Sequence, residues 1–348
     1  MKKLSILSCS ILACLCFFSC SNENLEENSN KVVDQNKRIF EPIKVPTQSL
    51  EWDESFHPYD LYTRAVNYSN EMAVTTSNIF LGGVYTAESI QDLSFKWIQK
   101  PLDPIDVSYT FPRYFFDNIQ RPSFSSMYRS LNKAVESPNF SGKQSLSFEY
   151  DFRQYSYYDE LKLAFGANVN ILSLFKLSAS ASNQKIKAKS GLFARIVQKN
   201  FSMIMDYPYD GNVFLNNDDL QSVNSQNPLY INSIIFGRMG IIAIESNYTY
   251  DELKAAFKAA LTAKKVNGEL EISSEHKKIL QEATLKLFVS GGNGQDVAKI
   301  VEGYDEFKNF IINGGEFTRD VPGVPIFFTA NHVSDNSVFT TTFEVAEH

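Results

Sequence analysis

Few residues in this chain are placed to do covalent or metal chemistry. All four cysteines, Cys9, Cys14, Cys16 and Cys20, fall in the first twenty residues, so the remainder offers no thiol for a disulfide, a metal or a nucleophile. The histidines His57, His276, His332 and His348 are scattered without metal-ligand spacing, and no Ser-His-Asp or Cys-His arrangement is legible. Asp206, Asp210, Asp218 and Asp219 sit among Asn212, Asn216 and Asn217 in a turn-rich stretch. A calcium site is conceivable there, but the twelve-residue calcium loop is missing and a solvated loop fits better. The Gly-Gly-Asn-Gly run at 291–294 has no following Lys-Ser/Thr, so it reads as a turn rather than a phosphate cradle. The sequence therefore points away from an enzyme and requires no cofactor.

Cys20 is the exception. Lys2 and Lys3 precede an apolar run from Leu4 to Phe18, which suits the core of a signal peptide and is short for a bilayer span of roughly 20 residues. The run ends in Phe17-Phe18-Ser19-Cys20, the form of a bacterial lipoprotein box. The expected organisation is a leader over 1–19, lipid on Cys20, a polar Asn/Glu-rich tether over 20–44, and a folded core over 45–348. An ordinary cleaved leader with an incidental cysteine is the alternative. Glu23, Glu26 and Glu27 just after Cys20 read equally as a surface-export tag or as a solvated linker. The expected address is the cell envelope, at the outer membrane or cell surface, with release outside the cell as an extension. With 33 basic against 40 acidic side chains and a net charge of −7, the chain gains little from phosphate counterion release, which excludes nucleic acid as a partner. The same balance argues against docking on anionic lipid by charge alone.

The elements behind these residues show two periods. Val45 to Glu160 is broken by prolines and reads as short strands and helices, the helices near Gln91–Gln99 and Ser125–Ala134. From Leu163, the residues Phe165, Ala167, Val169, Ile171, Phe175, Leu177, Ala179 and Ala181 fall on one face of a period-two pattern. This predicts a core strand over 163–178, built to be extended. Its extension is expected over 182–207 as a hairpin turning at Lys189-Ser190-Gly191, with Ile186, Ala188, Phe193, Val197, Phe201 and Met203 as its apolar positions; a pair of surface helices is the alternative. Farther on, Leu253, Ala256, Phe257, Ala260 and Leu261 follow the spacing of an amphipathic helix. Yet Phe257, Ala259, Leu261 and Ala263 also alternate. Asn267-Gly268 is a strong two-residue hairpin signal, and Leu270 and Ile272 continue the alternation beyond it. One stretch satisfies both periods.

Four motifs in order carry a family resemblance: PLYINSIIFGR (228–238), DELKAAFKAAL (251–261), LFVSGG (287–292) and NGGEFTRDVPGVPIFFTANHVSDNS (313–337). Preceded by EYDFRQYSYYDELKLAFG (149–166), they resemble the cholesterol-dependent (thiol-activated) cytolysins, the bacterial branch of the perforin-like MACPF/CDC pore formers. The resemblance covers about 149–345. It implies an α+β core with a bent, twisted antiparallel sheet, flanked by helical clusters that convert to β-hairpins. Gly237 and Arg238 then belong to a core-sheet motif, and Gly291 and Gly292 to a glycine hinge beside an edge strand that peels away. The residues of 182–207 and 255–278 become two pore hairpins. The family's C-terminal membrane-binding domain, with its tryptophan-rich undecapeptide and Thr-Leu pair, is expected to be absent: the only tryptophans are Trp52 and Trp97.

The implied function is oligomerisation into a ring and insertion of hairpins into a target membrane. A lone hairpin does not insert, because its unpaired edge groups each cost several kcal/mol in hydrocarbon. The partners implied are copies of the chain, a lipid membrane and a longer cytolysin-like companion. The alternative is a non-lytic surface binding or adhesion lipoprotein that retains the fold.

Overall fold

Runs of β-branched and aromatic residues become strands, and the polar stretches between them are closed by capped helices. The computed structural model describes residues 50–51, 65–76, 78–111, 113–138, 140, 147–177, 185–208, 211–291, 298–313 and 317–345, all within the compact unit Phe40–His348. The expected leader, Cys20, the tether and Gly292 lie outside the described residues. In chain order come β1 (Leu50–Glu51), β2 (Ala65–Ser69), β3 (Met72–Ala73), β4 (Val84–Thr86), α1 (Ala87–Gln91), β5 (Ile105–Tyr109), β6 (Phe115–Ile119) and α2 (Phe124–Glu136). Then follow β7 (Ser147–Tyr155), α3 (Lys162–Phe165), α4 (Ile171–Leu174), β8 (Ser190–Met205), α5 (Asn217–Val223) and β9 (Pro228–Ser246). The last third holds α6 (Tyr250–Thr262), β10 (Lys265–Val266), β11 (Glu269–Leu270), α7 (Ser274–Glu282), β12 (Thr284–Ser290), β13 (Lys299–Glu302), α8 (Tyr304–Ile312), β14 (Val324–His332) and β15 (Thr341–Val345).

Strands β8 and β9 form the spine of the main sheet, pairing antiparallel from Ser190↔Ser246 to Ile204↔Ser233. Half-way along, both change partners. The first part of β8 pairs with β7 and the last with β5, while β9 passes from β14 to β12. The switch coincides with a register shift between Lys199 and Phe201, a bulge that bends the strand locally. Gly237 lies opposite it, where a Cβ would overlap the Gln198 carbonyl oxygen. Gly291 packs on the same spot with φ +75°, a conformation that side chains other than glycine's rarely adopt. Two apolar cores fill the two faces. Beyond the bend, Leu192, Ala194 and Ile196 point into one core with α6, α7 and α8, whereas Phe193 and Val197 point into the other.

Several expected elements are corrected. The helix expected near 91–99 ends at Gln91, and Leu93 and Phe95 follow with φ of 60° and 52°. The expected core strand over 163–178 is two short helices, because Gly166 (φ 67°) terminates α3 and the Asn170 side chain caps α4. The turn expected at Lys189-Ser190-Gly191 is the start of β8. Its Phe193, Val197, Phe201 and Met203 are buried in the middle of the sheet, between strands on both sides. A strand covered on both faces is apolar on both, and so lacks the one-sided pattern of a surface hairpin. By contrast, the strand and glycine of PLYINSIIFGR, the strand at 285–289 and the proline-led strand of PGVPIFF appear as β9, β12 and β14. No helix among the described residues is long and apolar enough to cross a membrane.

Candidate functional site

Four adjacent strands, β7-β8-β9-β12, end at the same level of the sheet. Tyr155 faces Gly191, Ser190 faces Ser246, and Thr284 faces Glu245. Two chain segments leave from this one end: 156–189 joins β7 to β8, and 247–283 joins β9 to β12. They cover opposite faces of the same four strands, one core each.

The second segment is regular. Thr249 and Glu252 make a reciprocal capping box, with the Glu252 carboxylate accepting from the Thr249 N–H at 2.7 Å and the Thr249 hydroxyl from the Glu252 N–H at 3.4 Å. Helix α6 buries Leu253, Ala256, Phe257, Ala260 and Leu261 against the sheet. Asn267 and Gly268, with φ of 50° and 76°, form the two-residue turn of a small hairpin in which Lys265 pairs with Leu270 and Val266 with Glu269. Ser273 caps α7. Of the sequence-selected positions, Phe257, Leu261, Ala263 and Leu270 are buried, and Ala259 and Ile272 half-buried. The turn expected from Asn-Gly is thus already made, between helices.

The first segment is irregular. Its base continues the β7–β8 pairing: the Ile186 N–H donates to the Ser156 carbonyl at 2.9 Å, and Tyr157 bridges Lys185. Ile186 is buried and Ala188 half-buried. The Tyr158 hydroxyl donates to the Glu245 carboxylate at 2.6 Å, and burial together with that carboxylate raises the pKa of the phenol. Phe165, fully buried, sits edge-on to Phe175 and to Phe288 of β12, with centroids 6.2 and 5.3 Å away. At Gly166 a Cβ would meet the Glu71 carbonyl oxygen at 2.7 Å, and the Thr341 hydroxyl of β15 donates to the Gly166 carbonyl at 2.7 Å. Strand β15, together with Ser69 at the end of β2 and Glu71 just after it, therefore grips this segment at one glycine.

Among the described residues, the outer edges of the four strands carry short partners. On β7 the partner is β1, two residues long; on β12 it is β13, four residues from Lys286↔Glu302 to Val289↔Lys299. Gly291 follows β12 directly. Arg238, next to Gly237 in β9, is buried with its guanidinium 3.9 Å from the Phe310 ring centroid, and it donates to the Phe310 carbonyl. Burial lowers its pKa to about 10. Helix α8, which supplies Phe310, escaped the sequence reading. Its signal was Phe307, Phe310 and Ile311 at helical spacing after Gly303.

No group of acidic, histidine or cysteine residues among the described residues could hold a metal. Asp219, one of the acidic candidates, pairs with Lys100 at 3.0 Å, and that contact lowers its pKa.

Comparison with known proteins matches this architecture. A sequence profile of the thiol-activated cytolysins fits residues 118–344. Tetanolysin of Clostridium tetani is 24% identical over 249 residues, 68% of this chain and 46% of its own. Seeligeriolysin of Listeria seeligeri is 26% identical over 235 residues, 63% of this chain and 43% of its own. The chain thus spans less than half the length of these two relatives. Among solved structures, wild-type pneumolysin superposes with a TM-score of 0.65 at 22% identity, over 80% of this chain and 62% of that one. Suilysin from Streptococcus suis gives a TM-score of 0.62 at 22% identity, over 82% and 65%. With its profile match running from the β5–β6 hairpin to β15, the chain belongs to the thiol-activated cytolysin family.

Proposed function

We propose that the chain forms pores by straightening both segments into β-hairpins that prolong β7, β8, β9 and β12 through a target membrane. The observation that supports it is the common level at which these four neighbouring antiparallel strands end. Two extended hairpins leaving that level would continue one four-stranded ribbon. Each has roughly 16 residues per arm, against the ~9–11 that a tilted strand needs to cross a bilayer. The first hairpin spans 156–189, replacing the 182–207 read from sequence, and the second spans 247–283. The apolar alternation of 163–177 serves no strand in the present fold and would supply a lipid-facing side.

The remaining parts follow from edge chemistry. Ribbons enter hydrocarbon only when every edge is paired, so the active state is a ring of copies. The short β13 leaves β12 for this to happen, with Gly291 as the hinge, and the edge of β7, paired among the described residues only with the two-residue β1, accepts the neighbour. Attachment to the envelope is assigned to a lipid on Cys20 after a leader over 1–19 and a tether over 20–44. Contact with the target falls to a longer companion chain or to that lipid. The test is a reversible disulfide joining α6 to β8. Dye leakage from liposomes, measured with and without a longer homologue, should stop in the oxidised protein and return on reduction. Leakage indifferent to the lock would remove segment 247–283 from the pore.

A further inference from the structure

Among the described residues, β6 pairs with β5 alone, in an unbroken register from Ile105↔Ile119 to Tyr109↔Phe115, so its outer edge is open. The strand reads Phe-Phe-Asp-Asn-Ile and has no lysine, proline or bulge to blunt that edge. Its outward face is aromatic: Phe116 is 70% exposed and Tyr114 59%, with their rings stacked 6.1 Å apart. Next to them runs an acidic row. Asn118 faces Asp106 and donates to its carboxylate at 2.7 Å, and the Asp206 N–H donates to the Asp106 carbonyl. Among the described residues neither Asp106 nor Asp206 has a basic partner. An open groove of about 490 Å³ is lined by Asp106, Phe116, Asn118 and Asp206.

The chain leading into β1 comes from this end of the sheet. Strand β1 runs parallel to β7 with Leu50 opposite Glu149, level with Val197 of β8. Phe116 is level with Ile204, seven residues farther along β8. The residues before Leu50 therefore approach antiparallel to β6. At about 3.3 Å per residue, with a sideways step of about 4.8 Å, at least eight are needed to draw level with Phe116. Residues 37–45 read Lys-Arg-Ile-Phe-Glu-Pro-Ile-Lys-Val, with three bases against one acid in a chain of net charge −7.

We infer that residues 35–41 seat on the open edge of β6 as an added antiparallel strand and so fix which end of the core faces the chain's own membrane anchor. The register with Arg38 opposite Phe116 answers the local chemistry. It puts the guanidinium over an exposed ring and within reach of Asp106, Phe40 opposite Tyr114, and Glu41 opposite the exposed Arg113. Twelve residues then separate Arg38 from Leu50, enough to span the gap with slack for a bend at Pro42 and Pro46. Only 21–34 remain as free tether, a reach of about 20 Å. The proposed hairpins leave from the level of Gly191, thirteen residues of β8 from Ile204 and about 43 Å away. A seated tether thus holds β6 toward the producing envelope and the hairpins away from it. This orienting role rests on the proposed lipid at Cys20; the seat itself does not.

Disulfide trapping in the full soluble chain, with its four native cysteines changed to serine, tests the seat. Phe40→Cys with Tyr114→Cys should close at least tenfold faster than Phe40→Cys with Thr284→Cys, which lies at the hairpin end. Equal rates overturn the seat. Hydrogen exchange at 115–119 should speed about two- to fivefold in Arg38→Glu, the reach of one exposed charge contact, and return in Arg38→Lys. Exchange there that ignores Arg38, or protection that grows with protein concentration and so comes from a second copy, also overturns it. Orientation is read separately, with the lipidated chain on vesicles, a dye on Thr284→Cys and an acceptor in the bilayer. Energy transfer should be low and rise at least twofold in Arg38→Glu. Transfer unchanged by Arg38→Glu rejects the orienting role, and a chain that fails to stay on vesicles rejects the lipid, while the trapping result still decides the seat.

Discussion

Segments 156–189 and 247–283 do the same topological job at the same end of the sheet, yet they are held in opposite ways. The second is an amphipathic helix, a tight turn and another helix, each closed by its own cap. The first has two four-residue helices and is shaped by what it packs against. The contrast shows two ways of hiding a strand. In 247–283 the sequence satisfies helical and strand periods together, so its caps and helical stripe favour the helix locally and packing on the sheet completes it. In 163–177 only the strand period is present, and Gly166, Asn170 and burial against β12 and β15 must override it.

The largest expected effect comes from Phe165→Ala. It removes a fully buried ring between Phe175 and Phe288 and should lower stability by about 3–5 kcal/mol in denaturant titration, with exchange rising in 156–177 before 250–282. Equal loosening of both segments would erase the contrast. Gly166→Val comes next, because φ of 67° and the nearby Glu71 carbonyl both oppose a side chain; about 2–3 kcal/mol should be lost, again from the first segment. Thr249→Ala, which removes the capping box, should cost roughly 1 kcal/mol and loosen only the second.

The smallest effect is that of pH. Lys308 holds the Glu269 carboxyl below its ordinary 4.5, with a lesser push from Lys277. A carboxyl with a depressed pKa contributes stability above its unfolded pKa and loses it as pH falls through the folded one. Exchange at 265–270 should therefore rise as the pH falls below 4.5, and not in Glu269→Gln. Lys308 is raised by Glu269 and Asp305, so its share is present below 10.5 and fades only at higher pH.

Legibility in the sequence followed the same contrast. Asn267-Gly268, α6, β9, β12 and β14 were readable because each carries its own signal: a turn dipeptide, a helical stripe, or a long apolar run. Strand β8 was misread because alternation on one face was sought in a strand buried on both. The helices of 162–174 were invisible because their cause is tertiary: a glycine that only fits against Glu71 and Thr341, residues far away in sequence. The grip of β15 rests on the Thr341–Gly166 hydrogen bond, and the Lys308–Glu269 pair joins α8 to β11; no local pattern announces either.

The most direct test is a scan with an environment-sensitive dye on single cysteines at 163–177, in a chain free of other thiols beyond Cys20. In the soluble protein Ala164, Phe165, Gly166 and Ala167 are buried in succession, whereas 167–171 already alternates between buried and exposed, so the change is read at 164–166, where emission should not alternate before insertion. On membranes made leaky by the protein, the account predicts a period of two: Leu163, Phe165, Ala167, Val169, Ile171 and Phe175 in lipid, Gly166, Asn168, Asn170 and Lys176 in water. Retention of the soluble pattern on leaky membranes would contradict it.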